Sequence, residues 1–274
     1  MKGNFLTKVR DKFCIIQLSD LHCGDSRFDK ALVDNALEEI NSKRPDLVVI
    51  PGDLTADGYR DQFEEAREYI SQIACPQVVT VAGNHDCRNV GFLHFEDLFG
   101  SRNKTVDFDF CVYCEEIFQE KVKVVAVDSN KPDLNDGEVG RGKYDRIREQ
   151  FRGKNDYKIF VLHHHLVSVP GTGRERNIVW DAGDVLMELR KGEVDLVLAG
   201  HRHVPYIWPI AGMLIINSGT VCTWRTRGYT KPSYNIIEIS ATEIDIQIMM
   251  PGGEILNRER YSRVHPKKRL PLDK

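Results

Sequence analysis

Aspartate, asparagine and histidine residues follow five short apolar segments of the chain, at the point where each segment ends. In chain order they are Asp20 and His22, Asp53, Asn84 with His85 and Asp86, His163–His165, and His201 with His203. Carboxylate, carboxamide and imidazole groups are ligands of divalent transition metals, and this set suits Mn, Fe, Zn or Co. So many donors exceed the needs of one four-coordinate ion, whereas two ions that share a bridging carboxylate would use them. The pattern therefore predicts a centre of two divalent metal ions.

The segments that precede these residues are rich in valine and isoleucine, which is typical of strands buried on both faces. They are Phe13–Leu18, Asp46–Ile50, Val78–Ala82, Lys158–Leu162 and Asp195–Ala199, with a further run at Val122–Val127. Amphipathic helical patterns lie between them at Phe28–Ser42, Asp61–Ile73 and Ile178–Leu189, the last with Asn177 as its N-cap. This alternation predicts an α/β fold, in which ligands bind outside the carboxyl ends of the strands. If the strands are parallel neighbours, the polar residues meet at one place.

The C-terminal third has a different pattern, with short strands and no helices between them. These strands are Tyr206–Ile210, Met213–Asn217, Tyr234–Ile239 and Glu243–Met250, and they predict an antiparallel sheet or sheet edge. The sequence contains no internal repeat and no Ser/Gly-rich linker. We therefore expect a single domain over residues 1–260, followed by a polar, basic tail over residues 261–274.

Composition excludes several classes of protein. The 274 residues are 41% hydrophobic and 29% charged, with a formal net charge of −3, which excludes a disordered, collagen-like or disulfide-dense chain. The absence of a basic stripe argues against long nucleic acids as partners. No apolar run is long enough to span a membrane, and the N-terminus lacks a signal-peptide pattern. We therefore expect a cytoplasmic protein with reduced cysteines and no membrane partner.

One cysteine pattern allows two interpretations. Cys111 and Cys114 form a CxxC motif, which occurs in metal and redox sites. A structural zinc site needs a second pair of ligands, and none lies nearby in the sequence. The surrounding alternation of polar and apolar residues favours a packed strand instead.

The motifs together resemble those of the calcineurin-like metallophosphoesterase superfamily. They are SDLHCG (Ser19–Gly24), PGDLT (Pro51–Thr55), GNHD (Gly83–Asp86), the HHH run (His163–His165) and GHRH (Gly200–His203), and they occur in the family's order. The resemblance implies a four-layer α/β/β/α sandwich with a di-metal centre between loops. It also implies a metal-dependent phosphoesterase in which a metal-bound hydroxide attacks the phosphorus.

The resemblance also assigns roles to individual residues. It implies that the first ion is bound by Asp20, His22, Asp53 and His203, with Asp53 bridging, and that the second is completed by Asn84, His163 and His201. Within the HHH run the register is open: we favour His163, and His164 is the alternative. His85 is expected to contact the scissile phosphate, where it protonates the leaving oxygen or stabilises charge. Asp86 is expected to orient His85, or alternatively to cap the loop.

The sequence differs from two other branches of the superfamily, and these differences indicate which branch it resembles most. The segment GDLTADG and the motif GNHD differ from those of the Ser/Thr protein phosphatases, and Ala56 stands where purple acid phosphatases have a tyrosine. The nearest branch is that of the class III cyclic-nucleotide phosphodiesterases. It implies a small phosphodiester substrate, such as a cyclic nucleotide. A phosphomonoesterase or a nuclease is the alternative, and a non-catalytic binding or scaffold module is a more remote one.

Two loops are candidates for contact with the substrate. Pro170–Asn177 carries Arg174, and Thr223–Tyr229 carries Arg225 together with Trp224. Arginine suits bidentate contact with phosphate, and a tryptophan ring can stack on a base. The alternative is that these are solvated loop arginines and a packing tryptophan.

Overall fold

The computed structural model describes residues 12–113, 117–153, 156–172, 178–224, 226–227 and 229–263. Their strands are β1 (Phe13–Gln17), β2 (Leu47–Pro51), β3 (Val78–Val81), β4 (Lys104–Tyr113), β5 (Ile117–Ala126), β6 (Asp156–Val161), β7 (Leu196–Ala199), β8 (Tyr206–Ile210), β9 (Met213–Asn217), β10 (Tyr234–Ile239), β11 (Glu243–Met250) and β12 (Glu254–Ser262). The helices are α1 (Lys30–Lys43), α2 (Arg60–Ser71), α3 (Gly91–Phe99), α4 (Tyr144–Gln150) and α5 (Ala182–Gly192), and a short 3₁₀ turn precedes α4.

The strands form two mixed sheets of six. The first has the order β12-β11-β10-β1-β2-β3, in which β1, β2 and β3 are parallel and β10–β12 are antiparallel. The second has the order β4-β5-β6-β7-β9-β8, in which β5, β6, β7 and β9 are parallel. The strands that precede the polar motifs are therefore divided between the sheets, with β1–β3 in one and β6 and β7 in the other. The motifs meet because the sheets stack, and not because all five strands are neighbours.

Three apolar clusters define the layers. The central cluster lies between the sheets and combines residues such as Ile15 and Val49 with Val124, Ile159 and Leu198. A second cluster packs α1–α3 against the outer face of the first sheet, and a third packs α4 and α5 against the outer face of the second. Both faces of β1, β2 and β7 are buried, as their continuous apolar sequences predict. The predicted four-layer α/β/β/α sandwich is confirmed.

The largest difference from the predicted helices is the start of α5. We expected a helix from Ile178, but α5 begins at Ala182 with Asp181 as its N-cap. Ile178 instead forms a parallel bridge with His165, so its backbone is committed to an extended conformation. The expected N-cap Asn177 lies outside the described residues. The Asp181 carboxylate accepts hydrogen bonds from Val139 N and from the hydroxyl of Tyr144, which ties the helix entrance to the preceding loop.

The C-terminal strands do not form one antiparallel unit. Strands β10–β12 extend the first sheet, whereas β8 and β9 complete the second, and β9 is parallel to β7. Strand β12 continues to Ser262, and residues 264–274 of the expected tail lie outside the described part of the chain. Cys111 belongs to β4. Cys114 lies outside the described residues. Within the described ranges, no helix has the length and apolar character needed to cross a bilayer.

A buried lysine joins the ends of two helices, and it gives a test of the packing on the second sheet. Lys158 on β6 is 1% exposed, and its ammonium donates to the carbonyl oxygens of Phe151 (2.6 Å) and Gly192 (2.7 Å), at the ends of α4 and α5. Lys158→Met should lower the free energy of unfolding by about 1–3 kcal/mol, because both carbonyls lose their donor. Urea denaturation measures this, with Lys43→Met at the exposed end of α1 as control. Wild-type stability of Lys158→Met would contradict the assignment.

Candidate metal centre

Backbone pairing brings the loops after β1 and β2 side by side. His22 N donates to Asp53 O at 3.0 Å, and Cys23 and Thr55 form a parallel bridge. Gly52 is required between them, because its φ is +90° and a Cβ there would lie 2.6 Å from Nδ1 of His163. The two loops therefore act as one unit at the edge of the first sheet.

The second sheet is joined to this unit through its own loops. His201 N lies 3.2 Å from each carboxylate oxygen of Asp20, and Gly200 N donates to His163 O at 3.0 Å. Nδ1 of His163 donates to Pro51 O at 2.7 Å, at the end of β2. The contacts of His201 with Asp20 and of His163 with Pro51 cross from one sheet to the other. The contact of Gly200 with His163 joins two loops of the second sheet, so that together they fix the relative position of the polar side chains.

The first cluster consists of Asp20, His22 and His203. Nε2 of His22 lies 2.9 Å from Nε2 of His203, and Nε2 of His203 lies 3.3 Å from Oδ1 of Asp20. Asp20 is fully buried, and His22 is 6% exposed. One donor atom from each residue therefore faces a common point, within the spacing that one metal ion requires.

The second cluster consists of Asp53, Asn84, His163 and His201. Oδ1 of Asn84 lies 3.0 Å from Nε2 of His163 and 2.9 Å from Nδ1 of His201, and the two imidazole nitrogens are 3.2 Å apart. Oδ2 of Asp53 lies 3.3 Å from Nε2 of His163. All four side chains are buried, so this point lies deeper in the molecule than the first.

Asp53 connects the two clusters. Its Oδ1 accepts the backbone N–H of His85 at 2.8 Å, which leaves Oδ2 facing both clusters. Oδ2 lies 3.8 Å from Nε2 of His22 in the first cluster, in addition to its contact with His163 in the second. The carboxylate of Asp53 therefore lies between the two donor clusters.

The protonation states suit metal ligands. Burial lowers the pKa of His22 to about 4 and holds the pKa of His201 well below its ordinary value, so both rings are neutral. Burial would raise the pKa of Asp53, but the neighbouring His163 and His85 hold it well below its ordinary range. Neutral imidazole and ionised carboxylate are the forms that bind metals.

His163 is the exception, and its neighbours explain why. Burial opposes protonation of His163, but the carboxylates of Asp53 and Asp20 raise its pKa to about 9. Because Nδ1 already donates to Pro51 O, Nε2 of a neutral ring would point a lone pair at Oδ1 of Asn84 and Oδ2 of Asp53. Those oxygens are acceptors too, since Nδ2 of Asn84 donates to Asn135. A positive charge is needed at this point, and either a proton on His163 or a metal ion supplies it.

The backbone is strained at the same residues. Five of the expected ligands have positive φ: Asp20 (56°), His22 (45°), Asp53 (52°), His201 (83°) and His203 (60°). A left-handed conformation is uncommon in residues other than glycine and costs about 1–3 kcal/mol each where it is strained. Concentration of such residues in one cluster is typical of a functional site.

We expected Asp86 to orient His85, but its carboxylate is bonded to other groups. Its carboxylate accepts hydrogen bonds from Gly83 N (2.8 Å), Leu54 N (3.1 Å) and Thr55 N (2.8 Å). The ring of His85 is instead held by the carbonyl oxygen of Ala56, 2.6 Å from Nδ1. Burial, assisted by the charge of Asp53, raises the pKa of Asp86 to about 6. These contacts favour the loop-cap alternative, in which Asp86 joins the PGDLT and GNHD loops.

The HHH run places its three rings in different surroundings. His163 belongs to the second cluster. Nδ1 of His164 lies 2.9 Å from the Ser129 hydroxyl, and Nε2 of His165 lies 2.8 Å from Gly200 O. Both of these rings therefore support neighbouring loops.

Two residues near the clusters have no counterpart among the predicted site residues. Nη2 of Arg88 lies 3.2 Å from Nε2 of His85, and Oδ1 of Asn135 accepts from Nδ2 of Asn84 at 3.1 Å. The position of Arg88, three residues after His85, is a signal that the sequence offered. Asn135 is supplied by the loop between β5 and α4, and no motif marks it.

Only one of the side chains proposed from the two loops to contact the substrate lies within the described residues. Arg174 and Arg225 lie outside the described residues. Trp224 is 57% exposed, and its Nε1 donates to Oδ2 of Asp29 at 3.2 Å. Its ring is therefore both anchored and accessible.

Comparison with known sequences matches this chain to phosphoesterases. The family model of the calcineurin-like phosphoesterases matches residues 14–205. A protein of Rhodococcus erythropolis named probable cyclic nucleotide phosphodiesterase is 26% identical over 78% of this chain and 72% of its own length. A protein of the same name from a Synechococcus strain is 25% identical over 61% of this chain and 62% of its own length. The chain thus spans less than two thirds of the second relative.

Comparison with solved structures supports the fold. GAP50, the anchor in the inner membrane complex of Plasmodium, superimposes with a TM-score of 0.73 at 16% identity, covering 94% of this chain and 91% of that one. A dimetal phosphatase from Danio rerio superimposes with a TM-score of 0.66 at 13% identity, covering 91% of this chain and 98% of that one. At such low identity the agreement concerns the fold alone.

The contacts of Asp86 predict that it stabilises the protein. Asp86→Ala should lower the free energy of unfolding by about 2–4 kcal/mol, because several buried N–H groups lose their acceptor. Asp86→Asn, which keeps one acceptor oxygen, should lose less. Urea denaturation of the metal-free protein measures both, with Asp61→Ala on the exposed first turn of α2 as control. An Asp86→Ala protein as stable as the control would show that the carboxylate does not join the loops.

Proposed function

This chain belongs to the calcineurin-like phosphoesterase family, and on that premise we propose that it is a metal-dependent phosphodiesterase acting on a small phosphodiester, such as a cyclic nucleotide. The observation that carries the proposal is the pair of buried donor clusters that share the carboxylate of Asp53. A hydrolase of phosphate esters follows from the family. The preference for a diester is our own inference.

We assign the donors to two divalent ions. Asp20, His22 and His203 would hold the first, Asn84, His163 and His201 would hold the second, and Asp53 would contribute to both. The residues fit this assignment, because lone pairs of Asn84, His163 and Asp53 converge where a cation would satisfy them. The donor set of oxygen and imidazole nitrogen suits Mn, Fe, Zn or Co. When bound, such ions activate water for attack on phosphorus and neutralise charge on the phosphate oxygens.

The protein's own side chains would then bind and orient the ester. The loaded site attracts a phosphate oxyanion, because two divalent ions carry more charge than the carboxylates of Asp20 and Asp53 return. His85 lies beside the shared carboxylate, with its ring centroid 4.7 Å from that of His22. Because Nδ1 donates to Ala56 O, its Nε2 is the atom available to the substrate. With a proton on both ring nitrogens, His85 would donate from Nε2 to the leaving oxygen, which stabilises or protonates it.

The names of the two bacterial relatives support a diester, and the alternatives remain distinct outcomes of an experiment. The same site could serve a phosphomonoesterase or a nuclease. A shared fold does not imply catalysis, as the similarity to an anchor protein illustrates, so a binding module is the third alternative. The complete donor set in this chain favours an enzyme.

The bridging role of Asp53 can be tested by substitution. Asp53→Ala should reduce Mn²⁺-dependent phosphoesterase activity by at least about 10³-fold and lower the bound metal, because both ions lose a ligand. Activity on bis-p-nitrophenyl phosphate and metal content by mass spectrometry are the measurements. Asp34→Ala, at an exposed position of α1, is the matched control. Full activity of Asp53→Ala would refute the di-metal assignment.

The substrate class can be tested with a panel in the presence of Mn²⁺. We expect bis-p-nitrophenyl phosphate and cyclic nucleotides to be hydrolysed with a higher kcat/KM than p-nitrophenyl phosphate or single-stranded DNA. Faster hydrolysis of the monoester would identify a phosphomonoesterase, and cleavage of DNA would identify a nuclease. No turnover with Mn²⁺, Fe²⁺, Zn²⁺ or Co²⁺ would favour the binding module.

A further inference from the structure

We propose that Arg88 is a phosphate-binding residue of this site. In the free protein its guanidinium donates to Nε2 of His85, and on substrate binding it transfers that hydrogen bond to a non-bridging oxygen of the scissile phosphate. The inference rests on the proposed phosphoesterase function and deepens it, because it adds a cationic side chain to a site whose other groups are carboxylates, imidazoles and a carboxamide.

The two ends of the guanidinium have different partners. Nη1 donates to Ala56 O at 3.1 Å and to Oδ1 of Asp57 at 3.2 Å, so this end is anchored. Nη2 lies 3.2 Å from Nε2 of His85 and 3.4 Å from Oδ1 of Asn135. Neither partner of Nη2 is a carboxylate, and both contacts are long. An anionic phosphate oxygen is a stronger acceptor, so this end of the guanidinium favours exchange to an oxyanion.

The position of Nη2 places it next to the metal clusters. The carboxamide oxygen of Asn135 accepts hydrogen bonds from both Arg88 and Asn84, and Asn84 belongs to the second cluster. His85, on the other side, shares the carboxylate of Asp53 through its backbone N–H. A phosphate that lies on the clusters and contacts His85 is therefore within reach of Nη2. The Arg88 side chain is 31% exposed, so the guanidinium can also be reached from solvent.

The backbone that carries Arg88 is held in a strained turn. Asn89 and Val90 follow it with φ values of 47° and 57°, and a β-branched residue such as valine rarely adopts this conformation. Gly58 packs directly on the carbonyl oxygen of Arg88, where any Cβ would overlap it, and its own φ is +77°. Asp133 accepts the N–H of Asn89 at 3.0 Å and holds the turn from the opposite loop. Such strain at one surface-exposed turn is typical of a segment held for function.

The exchange would also change the state of His85. With Nδ1 bonded to Ala56 O, the lone pair on Nε2 is the acceptor for Nη2 of Arg88. When Nη2 moves to the phosphate, Nε2 is released and can take up from solvent the proton that it would donate to the leaving oxygen. Binding of the phosphate by Arg88 and availability of His85 are thereby linked through one hydrogen bond. The guanidinium would also offset charge that develops on the phosphate oxygens during attack.

The experiment compares Arg88→Ala and Arg88→Lys with the wild type, all loaded with Mn²⁺. Isothermal titration with inorganic phosphate gives its Kd, and bis-p-nitrophenyl phosphate gives kcat and KM. Metal content and thermal stability are measured on the same samples. Arg148→Ala is the matched control, since Arg148 is also partly exposed and paired with a carboxylate, but lies on α4.

We expect Arg88→Ala to raise the Kd for phosphate about tenfold and to lower kcat/KM about 10- to 100-fold, with metal content and melting temperature close to wild type. Arg88→Lys should recover part of the affinity, because it keeps the charge but not the planar pair of donors. The proposal is overturned if Arg88→Ala keeps wild-type phosphate affinity and kcat/KM. It is also overturned if Arg88→Ala and Arg88→Lys both lose metal or melt lower than Arg148→Ala, which would make Arg88 a tie between loops. Absence of phosphoesterase activity in the wild type would instead count against the proposed function.

Discussion

The carboxylate of Asp53 lies where the two sheets meet, and the arrangement of the other polar side chains depends on it. One oxygen is occupied by the N–H of His85, so the other must face His22 and His163. Those two histidines come from different sheets, and their spacing is therefore set by how the sheets stack. The apolar cluster between the sheets thus helps to determine the geometry of the site.

This arrangement is costly to the folded protein. Two carboxylates and several imidazoles lie buried in close contact, and five of these residues have left-handed backbone conformations. The layers around the site compensate, because β1, β2 and β7 are buried on both faces and the loops are tied by Asp86 and by backbone pairing. Stability and ligand geometry are supplied by different groups, which is why strain can persist at the strand ends.

The sequence was informative wherever the signal is local. Continuous apolar runs located β1, β2, β3, β6 and β7, and the members of both clusters follow these strands in the sequence. The predicted start of α5 at Ile178 was wrong, because Ile178 is held by a bridge to His165, a contact distant in sequence. The division of the strands between two sheets could not be read from periodicity either, since a buried strand looks the same in both. Asn135 could not be predicted for a related reason, because its partner Asn84 lies on another loop. Arg88 lies only three residues after His85, but its anchors Ala56 and Asp57 belong to the loop after β2 and are brought to it by folding.

The charges within the site explain why metal binding and loop structure should be coupled. Without a metal ion, His163 carries a proton on Nε2 that faces the oxygens of Asn84 and Asp53. It stays protonated because the carboxylates of Asp53 and Asp20 outweigh the effect of burial on its pKa. A divalent ion at that point would displace the proton and would bind oxygen and nitrogen atoms from both sheets at once. An ion that binds only the folded arrangement stabilises it by mass action, in proportion to its free concentration relative to its Kd. The strained loops carry five of the expected ligands, so a bound ion would stabilise them directly.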